Sequence, residues 1–258
     1  MKTIREIYAY REMISSLVKR ELRGKYKASF LGFLWTFVNP LLQLIVYTIV
    51  FSIIMRNGIK DYYLFLFVAL IPWLFFSTCA STGCGCVVTS SDMVKKIYFP
   101  REVLPISFVT SQFVNMLLCF VVVFGVLIVS GKGLSWRALL YLPVVMAVEY
   151  VLALGITLLF SGVTVYFRDL MHIMGILIMA WQFMTPVMYS LDMVPKAVRW
   201  VLRFNPMSAV ITAYRDILYY KQAPKLSTLT EAVIVGCVLL LIGALAFRRL
   251  QRHFAENM

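Results

Sequence analysis

The sequence predicts an all-α membrane protein with six transmembrane helices. Of its 258 residues, 61% are hydrophobic and 14% charged, whereas a soluble domain is roughly half apolar and a quarter charged. Apart from Glu149 and Glu231, the charges that remain leave six apolar runs of 22 to 30 residues uninterrupted. Each run can fill a hydrocarbon core that takes about 20 apolar residues per helix. They are too long and too continuous for β-barrel strands of ~10 residues with alternating polarity. The third observation is charge: 25 Lys and Arg against 12 Asp and Glu, a net +13. On a soluble chain that would suggest nucleic acid. On a membrane chain it is the excess of cytoplasmic loops held against anionic lipid, and no nucleic-acid partner is expected.

Residues 1–32 are polar and basic and contain no uninterrupted apolar stretch, so no cleavable signal peptide is expected. Ile4, Ile7, Tyr8, Ile14, Val18 and Leu22 recur at helical spacing, interrupted by Arg11, opposite Arg5, Glu6, Glu12, Lys19 and Arg20. This segment reads as an amphipathic interface helix in the headgroup plane, or as a helix packed against a partner; the two are compatible at different faces. The six spans are expected at 33–55, 63–89, 106–130, 138–165, 171–189 and 227–247. An even number puts both termini on one side. With the N-terminus inside, 15 of the 25 basic residues fall in the inner segments 1–32, 90–105, 166–170 and 248–258. The outer segments 56–62, 131–137 and 190–226 hold the other 10. The bias places both termini in the cytoplasm.

Two loops are unusual. The inner loop 90–105 combines Lys95, Lys96 and Arg101 with Met93, Ile97, Tyr98 and Phe99. Ser91 or Asp92 would cap a short helix there and Pro100 would stop it. Apolar groups rimmed by charge read as a docking surface, against the alternative of a plain solvated connector. The outer segment 190–226 carries Pro195, Pro206 and Pro224, and its stretch 207–220 is apolar apart from Arg215 and Asp216 but too short to span. It reads as half-membrane or interfacial helices, or as a cap lying flat on the bilayer.

Catalytic chemistry is missing. A P-loop requires Gly-Lys followed by Ser or Thr, yet Gly24-Lys25 precedes Tyr26 and Gly131-Lys132 precedes Gly133. The chain is therefore not expected to hydrolyse ATP alone, and no cofactor is expected on it. His172 and His253 stand apart. Cys79, Cys84, Cys86, Cys119 and Cys237 lie in apolar stretches with no CxxC, so neither a metal site nor a disulfide framework is expected. Glu149 is the only acid well inside a span. It reads either as one group of a gating or proton path or as a carboxyl hydrogen-bonded within the bundle. Rings recur in the spans: Phe33, Phe37, Tyr47 and Phe51 on one face of the first, Trp73 in the second, Trp181 and Phe183 in the fifth. They read as a pore lining on which sugar C–H faces would stack, or as lipid packing and interfacial belts.

Several strings occur in order along nearly the whole chain. They are R20-E-L-R-G-K-Y-K-A-S-F-L-G-F-L-W-T-F-V-N-P40, S161-G-V-T-V-Y-F-R-D-L170, T185-P-V-M-Y189, N205-P-M207 and Tyr214-Arg215-Asp216. In these the chain resembles the permease subunits of type-2 ABC exporters, in the branch that moves O-antigen, teichoic acid and related cell-surface polysaccharides. The resemblance implies a homodimer in the bacterial inner membrane, bound to two separate ABC subunits that hold ATP and Mg. It implies a cytoplasmic coupling helix at about Asp92 to Pro100, touching the ATPase through Asp92, Met93, Lys95, Lys96, Ile97, Tyr98, Phe99, Pro100 and Arg101. It also implies short extracellular gate helices at about Pro195 to Tyr220. Spans one and five would line the channel at the dimer axis, with Asp169, Pro186, Asn205, Pro206 and Arg215 shaping turns or the gate. A lipid-diphosphate-linked glycan would be drawn to basic groups at the inner surface, such as Lys25, Lys27 and Arg168. The alternatives are a type-2 ABC permease for a small molecule, a membrane enzyme acting on polyprenyl lipids, and a proton-coupled transporter built on Glu149.

Overall fold

The computed structural model describes residues 2–24, 30–55, 58–195, 197 and 199–254. Its α-helices are α1 (Lys2–Ala9), α2 (Arg11–Gly24), α3 (Trp35–Thr48), α4 (Tyr62–Ser81), α5 (Ser91–Lys96), α6 (Val103–Val129), α7 (Trp136–Leu139), α8 (Leu142–Thr164), α9 (Leu170–Met184), α10 (Arg199–Phe204), α11 (Pro206–Leu218) and α12 (Leu226–Leu250). No strand occurs among the described residues.

Among the described residues, five stretches are long and apolar enough to cross a membrane: Gly32–Ile54, Tyr62–Gly85, Val103–Val129, Trp136–Thr164 and Leu226–His253. The fifth expected span, 171–189, comes out shorter, because α9 stops at Met184 after 15 residues. At 1.5 Å per residue that is about 22 Å, short of a ~30 Å hydrocarbon core. The cause is Pro186. A residue before proline is pushed out of the helical region, and Thr185 is extended, with φ −108° and ψ 133°. Two further boundaries move. The helix of the second span ends at Ser81 and continues as 3₁₀ turns at Gly83–Gly85 and Val88–Ser90. The third begins at Val103, so the loop before it is shorter than 90–105.

α4 is the axis of the bundle. It is apolar on every side, as a helix enclosed by others must be, and every residue from Leu64 to Trp73 is buried. α3 lies outside it and buries only Thr36, Pro40 and Leu44. Beyond Thr48 it widens into a π-helical turn, Ile49–Ile54. α8 and α12 pack along most of their length, with backbones brought close by Gly155 and Gly243.

A second core forms where α4, α8 and α12 end and α6 begins. Leu17 of α2, Val94 of α5, Phe99, Val103, Phe247 and Phe254 meet there. The amphipathic spacing of the N-terminal segment thus serves packing: Ile14 joins this core while Tyr8 is exposed.

Candidate functional site

The loop around α5 is built from anchors and a tip. The chain enters α5 from the 3₁₀ turn Val88–Ser90, and no side-chain cap forms at Ser90. Ser91 and Asp92, expected as caps, lie instead inside α5 as its first two residues. Asp92 lies in the first turn and Lys95 and Lys96 in the last, each on the side the helix dipole favours. Val94 and Phe99 are buried in the second core, Met93 packs against it, and Pro100 is half-buried. Ile97 is exposed and Tyr98 is 95% exposed. Arg101 is no free cation. It donates to the carbonyl of Gln251 and lies 5.6 Å from the Phe254 ring centre. Gln251 in turn donates to Glu102 at 2.9 Å, and Tyr166 donates to the carbonyl of Leu250 at 2.7 Å. The loop, the α8–α9 turn and the end of α12 are thus one linked block beside an open cavity of about 640 Å³. Sequence reasoning missed Glu102, Tyr166, Gln251 and Phe254. Their partners lie up to 150 residues away in the chain, and only Phe254, an aromatic in a basic tail, stands out.

The aromatic residues divide by burial. Phe33 and Phe183 are exposed, and Phe37 is half-buried with its ring edge-on to Phe33 at 5.5 Å. Tyr47 on α3 accepts a long bond, 3.4 Å, from Gln182 on α9, so the two helices present a shared face. Phe51 leans on Tyr62 at 6.3 Å. Trp73 is a correction: at 1% exposure it belongs to the core and reaches no surface of this chain, because α4 is surrounded. Trp181 is half-buried, edge-on to Phe76 at 5.3 Å.

Trp181 leads into a polar knot below the end of α9. Its indole N–H donates to Asn205 Oδ1 at 2.9 Å. The same oxygen caps α11 through the Met207 N–H at 3.0 Å, and Pro206 takes the first helical position, where no donor is needed. Asn205 Nδ2 donates to the Met184 carbonyl and to Thr185 Oγ1 at 3.1 and 2.8 Å. Arg215, 4% exposed, donates to the carbonyls of Phe65, Pro186, Val187 and Tyr189 and lies 3.6 Å from the Phe65 ring centre. It thereby satisfies the carbonyls freed where α9 is broken, so the irregular backbone there keeps its polar groups paired. α11 is packed against the bundle, with Met207, Val210, Ile211, Tyr214 and Ile217 buried.

Glu149 is fully buried on α8 and accepts from the Tyr214 hydroxyl at 2.6 Å. Arg168 and Asp169 are exposed in the turn between α8 and α9, where the Arg168 and Asp169 carbonyls accept the first N–H groups of α9. Lys25 and Lys27 lie outside the described residues. Cys79, Cys84, Cys86 and Cys119 are buried and in no disulfide; the Cys84 and Cys119 thiols donate to the carbonyls of Ser81 and Thr36.

Comparison with known proteins adds the following. The sequence profile described as ABC-2 type transporter matches residues 12–219. An O-antigen export system permease protein RfbA of Myxococcus xanthus is 36% identical over the whole of both chains. A protein of the same name from Klebsiella pneumoniae is 30% identical over 95% of this chain and 94% of its own. The polysialic acid transport protein KpsM of Escherichia coli is 24% identical over 91% of this chain and 92% of its own.

Proposed function

Since the chain belongs to the ABC-2 type transporter family, we propose that it works as the permease subunit of a polysaccharide exporter, as two copies driven by separate ATP-hydrolysing subunits in the bacterial inner membrane. The full-length likeness to proteins named for O-antigen export supports the cargo. The chain's own part is to form the path and to receive the motor's movement. ATP and Mg belong to the partner.

The observation that carries the coupling role is the α5 block. An exposed tyrosine at the tip of a short helix is held from behind by Val94 and Phe99 in a core that also contains Leu17 of α2 and the ends of α8 and α12. A push on Tyr98 is passed to a packed unit rather than absorbed by a loop. In this reading the block faces the cytoplasm. Both termini lie there, and the Arg215 knot shapes an outer gate. Rings on α3 and α9 form the surface shared between two copies, along which a lipid-linked glycan slides. Arg168 stands at the inner surface, where its charge attracts the lipid diphosphate.

The test separates tip from anchor. Tyr98→Ala is expected to leave the protein's melting temperature and the ATPase activity of the complex unchanged. It should lower export by about tenfold, as truncation of a docking aromatic does. Phe99→Ala is expected to lower the melting temperature itself, since truncating a buried Phe costs ~3–5 kcal/mol. Normal export by Tyr98→Ala would remove the docking role.

Glu149 tests the proton-coupled alternative. Glu149→Gln retains an acceptor for Tyr214 and is expected to export normally. Glu149→Ala leaves a buried hydroxyl unpaired and is expected to lose ~1–3 kcal/mol of stability. Loss of transport by a well-folded Glu149→Gln protein would favour proton coupling instead.

A further inference from the structure

Between α3, α4 and α6 lies a half-open cavity of about 180 Å³, in the half of the bundle where α3 begins. Coupling and gating do not use it. Four carboxamides line it: Asn39 and Gln43 from α3, Gln112 and Asn115 from α6. The first pair are four residues apart and the second three, so each pair shares one helix face. No Asp, Glu, Lys or Arg is among the lining residues. Trp35 and Phe75 add two rings to the wall. Thr36 also lines the cavity and is 2% exposed, yet its Oγ1 has no hydrogen-bond partner within the protein. Asn115 Oδ1 is buried and likewise unpartnered.

Polar atoms held without partners in an apolar bundle carry a desolvation penalty, so the Thr36 and Asn115 oxygens need a compensating contact. The chemistry of the wall selects it. An ion would find no counter-charge. An apolar tail would leave Thr36 and Asn115 unpaired. A hydroxyl group donates to an orphan oxygen and accepts from an amide N–H at the same time. A ring bearing several hydroxyls also offers a C–H face to Trp35 or Phe75. The space far exceeds the ~10–15 Å³ that a single water requires.

We propose that this cavity binds one uncharged, hydroxyl-rich sugar unit of the exported polymer through Thr36, Asn115 and the neighbouring amides. The proposal rests on the polysaccharide reading and extends it: the glycan is held at a defined polar point and does not only slide on rings. A glycerol-bearing phospholipid headgroup shares the polyhydroxyl chemistry, and the experiment distinguishes the two.

Asn39, exposed at the mouth, is replaced by photoreactive p-benzoylphenylalanine in the complete transporter with its ATPase, in cells that make the glycan. Adducts are analysed by periodate staining for glycan and by mass spectrometry for phospholipid. The expected result is a glycan-bearing adduct that falls about tenfold when Asn115→Leu or the near-isosteric Thr36→Val is added, the factor for one lost hydrogen bond. An adduct insensitive to both substitutions, one carrying phospholipid alone, or none at all overturns the proposal. Surface glycan restored by the wild-type chain is scored in parallel. If it is restored, failure of the adduct test leaves the polysaccharide reading standing; if it is not, that reading itself fails.

Discussion

Arg215→Ala is expected to prevent recovery of a folded, export-competent protein. The side chain supplies donors to four backbone carbonyls, three of them in the Pro186–Tyr189 segment that follows α9, and its guanidinium stacks on Phe65. Phe65, Pro186 and Val187 are buried in the bundle, so their carbonyls cannot turn to water instead. Each carbonyl left buried and unpaired should cost ~1–3 kcal/mol, so a loss of several kcal/mol is expected. Arg215→Lys keeps the charge but brings one compact ammonium in place of a planar fork. It cannot reach the same carbonyls and stack on the ring at once, so an intermediate melting temperature is expected. The measurement is thermal unfolding of purified protein in detergent, with export scored in cells. An Arg215→Ala protein that melts with the wild type would show that the broken end of α9 is held by something else. Asn205 gives an internal comparison. It makes four hydrogen bonds, but one of its donors reaches Thr185 Oγ1, which already donates to the Trp181 carbonyl. Its removal should be the milder loss.

The apolar runs made the bundle legible, because a bilayer imposes a length and a polarity on every helix that crosses it. What hydropathy could not reveal is where backbone stops being helical inside an apolar run. Residues 171–189 read as one span since Thr185, Pro186 and Val187 add no charge. The break at Pro186 is tolerable only because a cation thirty residues further on supplies donors. The N205-P-M207 string was legible locally, as a cap followed by proline at the first helical position. Burial was not. Trp73 and Trp181 both sit among Phe and Leu in charge-free runs, yet one is sealed in the core and the other is tethered to Asn205, because only packing decides which helix is surrounded. The same holds for Arg101, which reads as a surface cation until the end of α12 folds back to meet it. The amides at 39, 43, 112 and 115 dilute two hydrophobic runs without interrupting either, so charge counting passes over them.

Gly243→Val is expected to separate α12 from α8 and so to disturb the coupling block from a distance. A Cβ built on Gly243 would overlap the carbonyl oxygen of Gly155, and one on Gly155 would sit 2.6 Å from the backbone nitrogen of Leu240. Backbone opposes backbone at both points, so no flexible side chain can yield and the helices must move apart. This is the small-residue packing that membrane helices use in place of a hydrophobic driving force. Overpacking usually costs about 1–3 kcal/mol, and the upper end or beyond is expected here, with Gly243→Ala already impaired. Gly236 on the same helix is the control: its added Cβ meets neighbours at 3.7 to 3.8 Å, an ordinary contact, so Gly236→Ala should melt with the wild type. Equal melting temperatures for Gly236→Ala and Gly243→Ala would refute the close approach. The functional consequence follows from what α12 carries at its far end. Phe247 and Phe254 sit edge-on at 5.5 Å within the second core, and Arg101 reaches Gln251 between them in sequence. A shift of α12 therefore loosens the support behind Val94 and Phe99. Any Gly243→Ala protein that still folds should hydrolyse ATP with its partner while exporting poorly, the same uncoupled behaviour expected of Tyr98→Ala but reached without touching the proposed docking surface.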